Sequence, residues 1–121
     1  MKTRILIVDD SESIRELVGT ALRENGYEVY AGVNGQDAYD QLKTIEVDLV
    51  ITDLNMPIMD GLMLVQAVRK DPKNKYLPIL ILTTESETRK REQAKKEGAT
   101  GWIVKPFDKD RLLNVINKVV R

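Results

Sequence analysis

This chain of 121 residues contains no cysteine and no histidine. Without cysteine there are no disulfides, thiolate nucleophiles or Cys-type zinc sites, which suits a reducing cytosol. Without histidine the usual general base and the usual zinc ligand are gone, as is any phosphohistidine relay within the chain. Neither sign of charge is in excess: Lys plus Arg and Asp plus Glu number 19 each, so no net charge draws the chain toward nucleic acid or an anionic membrane. Long hydrophobic runs are missing. The first, Ile5-Leu6-Ile7-Val8, is far too short for a signal peptide or a membrane span. Internal repeats, linkers and low-complexity stretches are absent as well. The length allows one domain, residues 1–121, with a real core and no room for a second. The expectation is a soluble, cytoplasmic domain without membrane insertion.

What the chain does contain is a set of short, continuous Ile/Leu/Val runs at residues 5–8, 49–52 and 79–82, the pattern of strands covered on both faces of a parallel sheet. Trp102-Ile103-Val104 makes a further run, and Glu28-Val29-Tyr30-Ala31 alternates as an edge strand does. Between the runs lie segments of helical period. Ile14, Leu17, Val18, Ala21 and Leu22 form a stripe closed by Asn25-Gly26. Ala38, Tyr39 and Leu42 form a second, and Leu62, Leu64, Val65 and Val68 a third, stopped by Asp71-Pro72. The stretch from Glu87 to Glu97 is nearly all polar, with Gly98 as its stop, and Leu112, Leu113, Val115, Ile116 and Val119 form the last stripe. Strand and helix alternate five times. Right-handed crossovers then predict a flavodoxin-like (βα)5 α/β fold: a doubly wound five-stranded parallel sheet, order 2-1-3-4-5.

A polar cluster follows each of four runs. Asp9-Asp10 follow the first, Asp53 the run at 49–52, Thr83-Thr84 the run at 79–82, and Lys105-Pro106 the last. If the runs are parallel strands, all four clusters lie on one edge of the sheet, where ligands of open α/β sheets bind. Carboxylates after a strand can simply cap the next helix. Asp53, expected on the neighbouring strand, weighs against capping alone, because three gathered carboxylates repel one another unless some protonate or a cation joins them. All-oxygen ligands favour a hard ion, and Mg²⁺ suits a few carboxylates plus water. Lys105 and Thr83 could be a surface cation and a capping residue. Together they supply the charge and the hydroxyl that a transferring phosphoryl group's oxygens require. The expected chemistry is attack of the Asp53 carboxylate on phosphorus to give an acyl phosphate, with no general base needed.

Val8-Asp9-Asp10 with Arg15, Asp53-Leu54-Asn55-Met56-Pro57 through Met59-Asp60-Gly61, Thr83-Thr84-Glu85, and Gly98-Ala99-Thr100-Gly101-Trp102 through Lys105-Pro106-Phe107 occur in that order. Across essentially its whole length the chain resembles the receiver domain of two-component response regulators, and among them the stand-alone chemotaxis regulators without an output domain. The resemblance implies that Asp53 is the phosphoacceptor, fed by the phosphohistidine of a separate sensor histidine kinase. It implies that Asp10, Asp53 and the backbone carbonyl of Asn55 bind Mg²⁺, with Asp9 acting largely through water, and that Lys105 and Thr83 contact the phosphoryl oxygens. It implies a cis bond between Lys105 and Pro106, and that Asn55 and Glu85 tune access of the hydrolytic water.

Trp102 departs from the family's usual Tyr, Phe or His at the switch position. It either packs half-buried on the last strand or gates as those residues do. The fourth helical segment carries a basic ridge of Arg89, Lys90, Arg91, Lys95 and Lys96, interleaved with Glu92 and Glu97. That ridge is either a solvated face or a dock for an acidic partner, and the resemblance assigns output to the fourth helix, fifth strand and fifth helix. The target would be a protein, for instance a flagellar motor switch component or another signalling protein. No DNA-reading motif is present. Two other classes fit less well. A flavin protein needs hydroxyls and N–H groups where Asp9-Asp10 would repel the phosphate. A haloacid-dehalogenase-like Mg²⁺-dependent aspartyl-phosphate hydrolase carries its nucleophile on the first strand and adds a cap domain.

Overall fold

The computed structural model describes residues 2–120. Its elements run β1 (Arg4–Val8), α1 (Glu12–Glu24), β2 (Glu28–Gly32), α2 (Gly35–Leu42), β3 (Leu49–Asp53) and α3 (Gly61–Lys70). They continue through β4 (Ile79–Thr84), a 3-10 turn (Glu85–Glu87), α4 (Thr88–Lys96), β5 (Gly101–Lys105) and α5 (Lys109–Val119). The five strands are parallel and ordered β2-β1-β3-β4-β5. The flavodoxin-like order expected from the alternation is the order observed.

Helix starts explain much of this register. Ser11, Asn34, Asp60 and Asp108 each stand in extended conformation just before a helix and accept a first-turn backbone N–H with a side-chain oxygen. Gly98, at φ 116°, ends α4 in a conformation few side chains adopt.

The sheet divides two cores by strand alternation. Leu6, Val8, Val50, Ile79 and Ile81 face α2, α3 and α4, meeting Ala38, Leu42, Leu64, Val65, Val68 and Ala94. Ile5, Ile7, Leu49, Ile51, Leu80, Leu82 and Ile103 face α1 and α5, meeting Val18, Leu22, Leu112 and Ile116. One expectation about the core needs correction. Leu17 belongs to the apolar stripe of α1 by spacing, yet it is 61% exposed. It borders an open apolar cleft between α1 and α5 whose walls include Ala21, Phe107 and Leu112. The stripe is wider than the sheet face it covers, so its outer member stays in solvent. The polar stretch beginning at Glu87 is also helical only from Thr88, because Glu85–Glu87 form a 3-10 turn.

Gly61 ties α3 to the end of β3. Its N–H donates to the Leu54 carbonyl at 2.9 Å, and a Cβ there would stand 2.2 Å from the Asp53 carbonyl oxygen. Gly26, at φ 87°, has open space around it instead. Gly61→Ala should therefore cost about 2–3 kcal/mol through forced backbone displacement, against about 1 kcal/mol for Gly26→Ala from conformation alone. Urea unfolding of the two variants checks the ranking, and equal midpoints would refute the close-approach argument.

Candidate functional site

The parallel register brings the strand ends level. Val8 pairs with Thr52, so Asp9 and Asp53, the next residue of each chain segment, come out side by side. Asp53 pairs with Leu82, and Thr84 with Lys105, which sets β4 and β5 at the same edge. Asp9, Thr52, Asp53 and Thr83 are the buried polar or charged residues among those described, and all four lie at the carboxyl ends of β1, β3 and β4. Polar burial in this fold is concentrated on a single edge.

Asp9, Asp10 and Asp53 each present a carboxylate oxygen within 4.8 Å of the others. Asp9 is 1% exposed. Its Oδ1 accepts the Ser11 N–H at 2.9 Å, but its Oδ2 is buried without a hydrogen-bond partner. Lys105 Nζ lies 3.9 Å from that Oδ2 and 3.2 Å from Asp53 Oδ1. Asp53 Oδ1 also accepts the Leu54 N–H at 2.9 Å. One ammonium thus serves two carboxylates, with the third, Asp10, close by. Burial pushes the pKa of Asp9 above the ordinary 3.8, the Ser11 N–H opposes that, the Asp53 charge adds to it, and Lys105 pulls the other way. An orphaned carboxylate oxygen beside two further carboxylates is the donor set of a hard divalent cation, and the residues fit Mg²⁺. A shallow cavity of about 370 Å³ opens next to them, lined by Asp10, Asn55, Met56, Pro57 and Asp60.

The remaining residues singled out in the sequence are arranged around this cluster. Thr83 is fully buried, and its hydroxyl is 3.2 Å from Glu87 Oε1 and 3.3 Å from the Thr84 carbonyl, hydrogen-bonding toward α4. Asn55 is exposed, its amide donating to Glu87 Oε2 while its Oδ1 accepts from Lys90 Nζ at 2.8 Å. Glu85 is exposed, and the carboxylate bonded to Asn55 belongs to Glu87. Trp102 is 40% exposed on β5, with the Arg91 guanidinium 5.0 Å from its ring centroid. The Lys105–Pro106 bond is cis.

Sequence reasoning gave Ser11 and Glu87 no part in the site. Ser11 caps α1 and so relieves Asp9-Asp10 of that task. The signal for Glu87 was the Thr84-x-x-Glu87 spacing of a capping box, which the structure contains. Arg15, part of the first motif, donates to the Asp9 carbonyl at 2.7 Å and steadies the turn after β1.

Acidic residues, a lysine and a threonine are thus gathered at the carboxyl edge of a five-stranded parallel sheet. A family model described as the response regulator receiver domain matches residues 5–117, and the chain belongs to that family. Chemotaxis protein CheY-3 of Vibrio cholerae is 37% identical over 117 residues, covering 96% of this chain and 90% of that protein. Chemotaxis protein CheY of Pseudomonas aeruginosa is also 37% identical over 117 residues, covering 96% and 94%. The solved structure of the chemotaxis response regulator CheY4 of Vibrio cholerae superposes with a TM-score of 0.93 at 42% identity, over 98% of this chain and 99% of that one. The chain is a CheY-like response regulator receiver, and nothing among its relatives supports a haloacid-dehalogenase-type hydrolase. Among the described residues no helix is long and apolar enough to cross a membrane.

Neutralising Asp9 should relieve the crowding. Asp9→Asn keeps an acceptor for the Ser11 N–H and can donate to Asp53, so the metal-free protein should gain about 1 kcal/mol at pH 7. Because folded Asp9 holds its proton more tightly than the unfolded chain does, wild-type stability falls as pH rises from 3.8 through the raised folded value. The variant should lack that decline. Added Mg²⁺ should stabilise wild type more than the variant, and thermal melts at several pH values with and without the metal read both effects.

Proposed function

We propose that this protein is an Mg²⁺-dependent phosphoryl switch that takes a phosphoryl group from the phosphohistidine of a separate sensor histidine kinase onto Asp53. The observation that carries this reading is the Lys105 ammonium 3.2 Å from Asp53 Oδ1, inside the three-carboxylate cluster. With both the Leu54 N–H and Lys105 on Oδ1, Asp53 Oδ2 is the oxygen assigned to attack phosphorus. A P–O bond forms as the P–N bond to the donor imidazole breaks, and the leaving nitrogen keeps its lone pair. Lys105 neutralises oxygen charge as it builds, and Thr83 donates its hydroxyl to the transferred group. Asp10, Asp53 and the Asn55 backbone carbonyl would hold Mg²⁺, with Asp9 acting largely through water, and the ion would supply charge that balances the carboxylate and phosphoryl oxygens. Water then hydrolyses the acyl phosphate, releasing inorganic phosphate and restoring the Asp53 carboxylate, so the protein catalyses only its own phosphorylation and dephosphorylation.

The output is binding to another protein through α4, β5 and α5, in the cytoplasm. Two relatives are named for chemotaxis, which makes a flagellar motor switch component the favoured class of target. A charge balanced at 19 against 19 argues against nucleic acid as that target.

Incubation with Mg²⁺ and acetyl phosphate should add one phosphoryl group by intact mass, and Asp53→Asn or omission of metal should abolish it. No addition to the folded, metal-loaded wild type would overturn phosphotransfer from small donors. Trp102→Ala should phosphorylate normally and bind its target several-fold more weakly, a ratio read by capture of the target on immobilised protein with and without phosphodonor.

A further inference from the structure

We propose that Glu87 is a latch that holds the Thr83 hydroxyl away from Asp53, so that a phosphoryl group on Asp53 must win Thr83 from the Glu87 carboxylate. The inference rests on the phosphoryl-switch reading above and names a positioning residue for it.

Glu87 gathers hydrogen bonds from the end of β4 and from the loop after β3. Its Oε1 accepts the Thr84 N–H at 2.8 Å, the Thr84 hydroxyl at 3.1 Å and the Thr83 hydroxyl at 3.2 Å. Its Oε2 accepts the Asn55 amide from the loop after β3. Both carboxylate oxygens accept hydrogen bonds and neither donates one, as an ionised glutamate does. The group is therefore an anion at neutral pH.

Proton count decides the competition for Thr83. A threonine hydroxyl has one proton to donate. In this structure that proton faces Glu87 and the Thr84 carbonyl, 3.2 and 3.3 Å away. Donation to a phosphoryl oxygen breaks whichever of these bonds is made. The bond to Glu87 is charge-assisted and is the stronger competitor.

The consequence is carried along α4. Arg91 stands one helical turn beyond Glu87, on the same side, with its guanidinium over the Trp102 ring. Lys90, between them, donates to Asn55. One short helix is thus fastened to Thr83, to Asn55 and to Trp102. Withdrawal of Thr83 loosens the first fastening and frees the helix start that also carries Arg91.

The test compares wild type, Glu87→Gln, Thr83→Ala and the double variant, each loaded with Mg²⁺ and titrated with beryllium trifluoride, a phosphoryl mimic. Calorimetry gives affinity, and fluorescence of Trp102, the chain's one tryptophan, reports the switch. Gln keeps an acceptor for the Thr84 N–H, so the helix start survives, while the acceptor for Thr83 loses its charge. Glu87→Gln should tighten binding about fivefold when Thr83 is present, the difference between a charged and a neutral acceptor. In the Thr83→Ala background the same substitution should change affinity less than about twofold, and Trp102 should reach its bound signal at lower mimic concentration only where Thr83 remains. An equal gain in both backgrounds would mean that Glu87 repels the anion through its field, which overturns the latch. No gain in either background overturns it too. A wild type that does not respond at all overturns the phosphoryl-switch reading, a result distinct from either.

Discussion

Two carboxylates, Asp9 and Asp53, are buried side by side at the end of a parallel sheet with one ammonium between them, and the rest of the molecule is arranged around that pairing. Like charges in a poorly hydrated site oppose folding, and Lys105 cannot satisfy both at hydrogen-bond distance. The opposing stability comes from the two cores. Large aliphatic side chains from Ile5 through Ile116 are fully buried on both faces of the sheet, each contributing about 1.5–3 kcal/mol relative to exposure. An ordinary core can therefore carry a strained edge. The strain is useful because it makes the edge attractive to a divalent cation.

Strand placement was legible in the sequence because the physics behind it is local. A parallel strand covered on both faces must be apolar on both, so Ile79-Leu80-Ile81-Leu82 reads as buried without any knowledge of its neighbours. The change to polar residues at Asp9, Asp53, Thr83 and Lys105 then marks the shared edge. Leu17 was misplaced because period alone fixes the direction of an apolar stripe and not the width of the surface that covers it. Glu87 escaped for a different reason. Thr84-x-x-Glu87 predicts a capping box from local spacing, but the bond to Asn55 spans 32 residues and exists only once β3 and β4 are paired.

The basic ridge on α4 resolves into separate duties for the same cause. Lys90 reaches Asn55, Lys95 reaches the Thr100 carbonyl at 2.8 Å, and Arg91 lies over Trp102, whereas Arg89 and Lys96 make no side-chain hydrogen bond among the described residues. A charge pattern along a helix says which residues are cations. It does not say which find partners in the loops on either side. Trp102 follows the same rule: its exposure and its cation–π contact are set by α4, a neighbour in space.

Burial also separates the parts of the site that hold still from those that can move. Asp53 ends a strand with all five residues buried, and Gly61 seats α3 directly against its carbonyl, while α3 buries Leu64, Val65 and Val68. By contrast α4 buries Ala94 alone, and the 3-10 turn before it buries nothing. A single methyl contributes about 0.8 kcal/mol, far less than the large aliphatics anchoring the other helices. Hydrogen bonds through Glu87, Lys90 and Lys95 are thus a large share of what fixes α4 in place. Interactions worth about 1 kcal/mol each can be exchanged by adding one charged group nearby, whereas an aliphatic anchor cannot. The element with the smallest apolar anchor is the one attached to Thr83, Asn55 and Trp102, so a chemical change at Asp53 meets its weakest mechanical resistance along α4.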